Sequence, residues 1–222
     1  MRHKILLTGF GPFPGMEVNP TGLLMARIAG GLPLPPRADV EALELDTSYR
    51  RAGEQLEAAL ARFQPDALLS LGVAVGERVY RIERLAVNLN DSASPDADAD
   101  LRIAQVIVEE GPVEYGATLP LAALEKALRK AGITVRISDS AGRYVCNHIF
   151  YSALHALTQT QSLCRAGFLH VPDPGAGNDW QIGEYMATLE TVVRISVEVL
   201  CADLDAAKLS PGSSPPEAAH TL

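Results

Sequence analysis

The feature that most constrains this chain is a repeated exchange between two hydrophobic periods. Short apolar runs read as strands at His3 to Thr8, Val40 to Leu45, Asp66 to Leu71, Ile133 to Ile137 and Gly167 to Val171. Between them lie segments with apolar residues at helical spacing. One runs from the N-cap oxygens at Asp46, Thr47 and Ser48 to Phe63, with Leu56, Ala59, Leu60 and Phe63 on one face. Others span Thr21 to Ala29, Pro120 to Gly132, Cys146 to Thr158 and Asp179 to Leu204. Strand and helix in alternation predict an α/β fold: a mostly parallel, twisted sheet with helices on both faces. Tyr80 to Leu89 reads as a further strand. The stretch from Asn90 to Leu119 is irregular, and its SPDADAD string predicts a solvated loop.

Composition narrows the class. With 222 residues, one large domain over 1–208 is expected, followed by a tail at 209–222 whose Ser and Pro content predicts disorder. No apolar run approaches the roughly 20 residues of a membrane span, and the opening MRHKILLTGFGPF is too short in apolar residues for a secretory signal. A cytoplasmic location is expected. Net charge of −8 and 5% aromatic residues disfavour nucleic acid as a partner. Three cysteines, Cys146, Cys164 and Cys201, do not make a disulfide framework.

In such sheets ligands bind outside the carboxyl ends of the strands, where GFGPFPG, SAGRYVC and His170 are expected to converge. Cys146 falls at the start of a helix, where free amides favour a thiolate and could receive an oxyanion. His170 in FLHVP could take the thiol proton and return it to a leaving amine, or be an ordinary core histidine. Glu83, a carboxylate within an apolar strand, must be paired if buried. It could orient His170 or bridge to Arg81 or Arg84. His148 is two residues from Cys146 and so points elsewhere on the helix, which argues against a metal site; His3, His155 and His220 read as surface or tail residues. The Gly9-x-Gly11 loop with Asp46 imitates a dinucleotide fingerprint. However, Pro12 and Pro14 lack the N–H groups that cradle phosphate, and Phe10 and Phe13 suit an uncharged ring better.

These residues together resemble the pyroglutamyl peptidase I family of cysteine peptidases. The likeness runs through ILLTGFGPF, VNPT, IERLAVNLND, SAGRYVCNHIFY and GFLHVP, over about residues 4 to 200, with the cysteine block the most specific. The resemblance implies a three-layer α/β/α sandwich related to the purine nucleoside phosphorylases, with no cofactor, no metal and a homotetrameric assembly. It implies a triad of Cys146 (nucleophile), His170 (base) and Glu83 (orienter), acting on pyroglutamyl peptides. Substrate-binding positions carried over are Phe10, Phe13, Asn19, Thr47, Tyr144 and Val145. A lactam ring has no N-terminal charge, so an apolar pocket accepts it while an α-ammonium would lose its hydration there.

The chain departs from the family's strings at identifiable points. Family G-Q-A-G-G-R becomes Gly72-Val73-Ala74-Val75-Gly76-Glu77, and T-P-E-R becomes Arg81-Ile82-Glu83-Arg84. An aliphatic pocket position becomes Ser94, and a phenylalanine becomes Tyr144. These changes predict weaker packing around the ring. Two alternatives stay open: a nucleoside phosphorylase-like transferase using Arg78 and Arg143 for phosphate, and a binding protein that has lost turnover.

Overall fold

The computed structural model describes residues 2–176 and 181–209. In chain order the elements are β1 (His3–Phe10), α1 (Pro20–Ala29), β2 (Ala38–Leu45), α2 (Tyr49–Phe63), β3 (Ala67–Ala74), β4 (Tyr80–Glu83), β5 (Leu85–Val87), β6 (Glu114–Gly116), α3 (Leu121–Lys130), β7 (Val135–Ser138), α4 (Val145–Gln159), β8 (Arg165–Pro172) and α5 (Ile182–Leu209). Strand side chains alternate between faces, and the core divides accordingly. Ile5 and Leu7 of β1 pack with α1, α3 and α5, whereas Leu6 and Phe10 pack with α2 and α4. The result is the expected three layers.

The main sheet has the order β2-β1-β3-β8-β4-β7. Strands β2, β1, β3 and β8 are parallel; β4 runs antiparallel to β8, and β7 parallel to β4. One reversal therefore interrupts the mostly parallel sheet. It sets Arg81 opposite His170 and Glu83 opposite Phe168.

Several expectations need correction. Tyr80 to Leu89 is not one strand: β4 ends at Glu83, and β5 leaves to form an antiparallel pair with β6. The buried side chain of Asn147 on α4 draws it away, accepting from Val87 N (2.9 Å) and donating to Val87 O (2.9 Å) and Leu89 O (3.1 Å). Those bonds satisfy backbone groups that a continued strand would have paired. The SPDADAD segment is not simply solvated. Asp96 is buried, and its carboxylate accepts from Tyr49 N (2.8 Å) at the start of α2 and from the amides of Asp98 (2.8 Å) and Asp100 (2.9 Å). A carboxylate at a helix N-terminus satisfies an otherwise unpaired amide and complements the dipole.

His3 is buried rather than superficial, with Nε2 2.8 Å from Asp205 Oδ1 on α5. His155 is half-buried, with Nδ1 2.9 Å from the Tyr115 hydroxyl. Leu209, expected to begin the tail, closes α5 instead. His220 and the rest of that tail, residues 210–222, lie outside the described residues.

Candidate active site

Strand register brings the site together. Gly72 on β3 pairs with His170 on β8, which pairs in turn with Arg81 on β4. Residues directly opposite across adjacent strands share a face, as do residues two apart on one strand. Gly72, Phe168, His170, Arg81 and Glu83 therefore all face the α2–α4 layer. Cys146 reaches the same place from the first turn of α4: an ideal Cβ on Gly72 would lie 2.8 Å from its Sγ. The absent side chain of Gly72 is the space the sulfur occupies.

His170 Nδ1 is 2.7 Å from Glu83 Oε1, and both side chains are buried. An ionised carboxylate only accepts, so the ring nitrogen donates and Nε2 is left unprotonated in the neutral tautomer. Burial lowers the pKa of His170; the Glu83 bond opposes this and Arg81 adds to it. The imidazole is thus held neutral and poised as an acceptor. Sγ makes no hydrogen bond to the ring among the described residues. Such contacts are often looser without substrate.

The thiol departs from the expectation of a lowered pKa. Burial, with the Glu83 charge adding to it, pushes Cys146 up to about 12; Arg81 and the residue's own amide pull the other way. Helix-start placement does not outweigh desolvation here. At neutral pH this environment favours the thiol over the thiolate. Helix α4 begins without a side-chain cap, so N–H donors of its first turn are left for a ligand oxygen to accept from.

Glu83 makes both contacts at once, since Arg81 Nε also donates to the Oε1 that faces His170 (3.0 Å). Arg84 pairs instead with Asp139 (2.6 Å). Two of the departures noted above prove to be partners: Arg81 and Glu77 form an ion pair (2.9 Å).

The six expected substrate-binding residues divide by exposure. Phe13 and Tyr144 are half-buried, and the Tyr144 hydroxyl donates to Pro95 O (3.0 Å). Phe10, Asn19, Thr47 and Val145 are buried. Phe10 packs on Phe168, with centroids 6.3 Å apart, and Val145 lies within the same core. Asn19 is the N-cap of α1, accepting from Thr21 N (3.1 Å) and Thr21 Oγ1 (2.8 Å). Its Nδ2 and the Thr47 hydroxyl both donate to Gly11 O (3.0 and 2.9 Å). In this structure Asn19 and Thr47 thus pin the aromatic loop rather than offer free polar atoms. That role could not be read from VNPT, because Gly11 lies eight residues earlier in the chain.

Other chemistries find less support. A Cβ on Gly11 would meet the Glu44 carboxylate at 3.0 Å, an unfavourable neighbour for phosphate. Arg143, one of two cations considered for phosphate, is paired with Asp91 (3.1 Å). His148 is buried with Nδ1 3.2 Å from Asn90 Oδ1, and among the described residues no group of three or more His, Cys, Asp or Glu is disposed to hold a metal. A cavity of about 850 Å³ lies at the opposite end of the sheet, lined by Leu60, Pro65, Leu157, Leu163 and Cys164 among others. It contains none of the expected site residues. Among the described residues no helix is long and apolar enough to cross a membrane.

Comparisons with known proteins agree with one another. A family model described as pyroglutamyl peptidase matches residues 3–201. The pyrrolidone-carboxylate peptidase of Brevibacillus brevis is 36% identical over 190 residues, covering 86% of this chain and 87% of its own. That of Pectobacterium carotovorum is 39% identical over 172 residues, covering 76% and 77%. Among solved structures, pyrrolidone carboxyl peptidase from Thermococcus litoralis superposes with a TM-score of 0.84 at 32% identity, over 92% of this chain and 96% of that one. Pyroglutamyl peptidase I from Bacillus amyloliquefaciens gives 0.79 at 28%, over 89% and 98%.

Proposed function

This chain belongs to the pyroglutamyl peptidase family, and from that premise we propose that it is a cysteine exopeptidase removing N-terminal pyroglutamate from peptides, with Cys146 as nucleophile, His170 as base and Glu83 as orienter. The observation that carries this reading is the 2.7 Å Glu83–His170 bond on the sheet face where Gly72 makes room for Sγ. Sγ attacks the pyroglutamyl carbonyl carbon while its proton passes to His170 Nε2. The tetrahedral oxyanion is received by amides at the uncapped start of α4. Collapse breaks the peptide C–N bond, and the departing amine takes the proton from Nε2. Water, deprotonated by the same nitrogen, then cleaves the thioester to release pyroglutamate and restore the thiol.

Phe13 and Tyr144 supply apolar faces for the lactam, and the pinned Gly11 to Phe13 loop holds one of them. The reading brings with it a cytoplasmic place of action and a homo-oligomer, a tetramer by family likeness. The test is chromophore release from a pyroglutamyl amide, with and without iodoacetamide, and with Cys146→Ala. Thiol-sensitive release lost in the variant is expected. Phosphate-dependent nucleoside cleavage would overturn the reading in favour of a transferase, and binding without turnover in favour of a degenerate binder.

A further inference from the structure

We propose that Arg81 is a positioning residue for this reaction: anchored by Glu77, its guanidinium locks the Glu83 carboxylate onto His170 Nδ1 and disfavours a charged imidazole in the resting site. The inference rests on the cysteine-peptidase reading above and adds a fourth side chain to it.

The geometry engages three different nitrogens of one guanidinium. Nε donates to Glu83 Oε1 (3.0 Å), one terminal nitrogen donates to Glu77 Oε1 (2.9 Å), and the other lies 3.5 Å from His170 Nδ1. Since Nδ1 already donates to Glu83, that last approach places a cation against the edge of the ring, which opposes a second positive charge. Glu83 Oε1 holds two donors while Oε2, also buried, has none among the described residues. A carboxylate held by the histidine alone could turn about its own side-chain bonds. A second donor, fixed on the same strand two residues away, removes that freedom. The Arg81 side chain is 15% exposed, so its charge acts through little solvent.

The charged and titratable groups around the ring can be named. Glu83 and Arg81 come from β4, Glu77 from the turn before it, and Cys146 from α4. Arg136 of β7 touches Glu77 at 3.4 Å, and Asp173, beyond the end of β8, accepts from Gly76 N (2.8 Å). Arg81 lowers the pKa of both His170 and Cys146, whereas Glu77 raises that of His170. Removing Arg81 should therefore let His170 protonate at higher pH, and neutralising Glu77 should do the reverse.

The test is the pH profile of kcat/KM for a pyroglutamyl amide with wild type, Arg81→Met, Arg81→Lys and Glu77→Gln. In Arg81→Met we expect kcat to fall on the order of 10²-fold through misplacement of the base. KM should stay within about twofold, since no substrate contact is lost, and the acid limb should move up by about one pH unit. Arg81→Lys restores the limb but only part of kcat, because an ammonium keeps the charge without the fixed fork. Glu77→Gln moves the limb down. Should Arg81→Met not fold, Arg81→Lys, with its limb in place and kcat reduced, and Glu77→Gln, with its limb moved down, still test the proposal. An unmoved limb in Arg81→Met, a limb in Arg81→Lys as displaced as in Arg81→Met, or an upward shift in Glu77→Gln would overturn the proposal. Wild type inactive on pyroglutamyl amides, or activity surviving Cys146→Ala, would overturn the underlying reading and this one with it.

Discussion

Replacing Gly72 by alanine should separate catalysis from folding. The added methyl carbon would lie 2.8 Å from Cys146 Sγ and 2.9 Å from Phe168 Cζ. Ordinary separations begin near 3.5 Å, so one or both neighbours must retreat by roughly 1 Å. Phe168 has little room, with ring centroids 5.8 Å from Phe150, 6.3 Å from Phe10 and 4.8 Å from His170. Most of the displacement therefore falls on the sulfur. Overpacking of this size costs about 1–3 kcal/mol of stability. A nucleophile misplaced by about 1 Å loses on the order of 10² in rate. Gly167→Ala is the control. Its methyl carbon would meet Leu119 Cδ1 at 2.6 Å in the other core, away from the site. The assay is kcat per folded molecule on a pyroglutamyl amide, with the melting temperature of each variant measured alongside. Both variants should melt earlier, and only Gly72→Ala should lose turnover. A Gly72→Ala enzyme with kcat within twofold of wild type would refute the placement of the sulfur over that strand.

Further outcomes follow from other parts of the structure. Burial lowers the His148 pKa to about 4, so between pH 6.5 and 4 the unfolded chain binds a proton that the native one does not. Stability is then full above pH 6.5 and falls with acid, by up to about 3 kcal/mol for this group; urea midpoints at pH 7 and 4.5 should converge in His148→Gln. Asp96→Ala frees the Tyr49 amide and two loop amides, costing about 2 kcal/mol. By loosening Pro95 beneath Tyr144 it should raise KM more than it lowers kcat, as read from steady-state kinetics. Ser94→Ile should lower KM by adding apolar surface at the loop; an unchanged KM would count against the weak-packing reading.

The sequence discloses what local chemistry determines. Continuous apolar runs at Ile5 to Leu7 and Ala67 to Leu69 declare buried strands, and the spacing of Leu56, Ala59 and Leu60 declares the inner face of α2. Strand direction is not local. Nothing in YRIE indicates that it runs against FLH, yet that reversal sets Glu83 beneath His170. The break after Glu83 depends on Asn147, some sixty residues later in the chain. Asp96 reads as one acid among three in SPDADAD, and only its bond to Tyr49 N distinguishes it. Likewise, thiol acidity follows from helix position in the sequence and from desolvation in the folded site, and the second dominates.

The inward-facing charges of β4 carry a consequence for assembly. Sliding this strand by one residue would turn Arg81 and Glu83 into the apolar core that holds Tyr80 and Ile82, and the cost of burying unpaired charge forbids that. Sliding it by two would leave every side chain on its own face, so greasy contacts alone would scarcely notice the mistake. Such a slip would set the carboxylate directly opposite His170, or the guanidinium opposite Phe168, and part both from their present partners in a dry interior. The polar cluster that prepares a proton acceptor thereby also serves as the key that lets the strand dock in only one alignment.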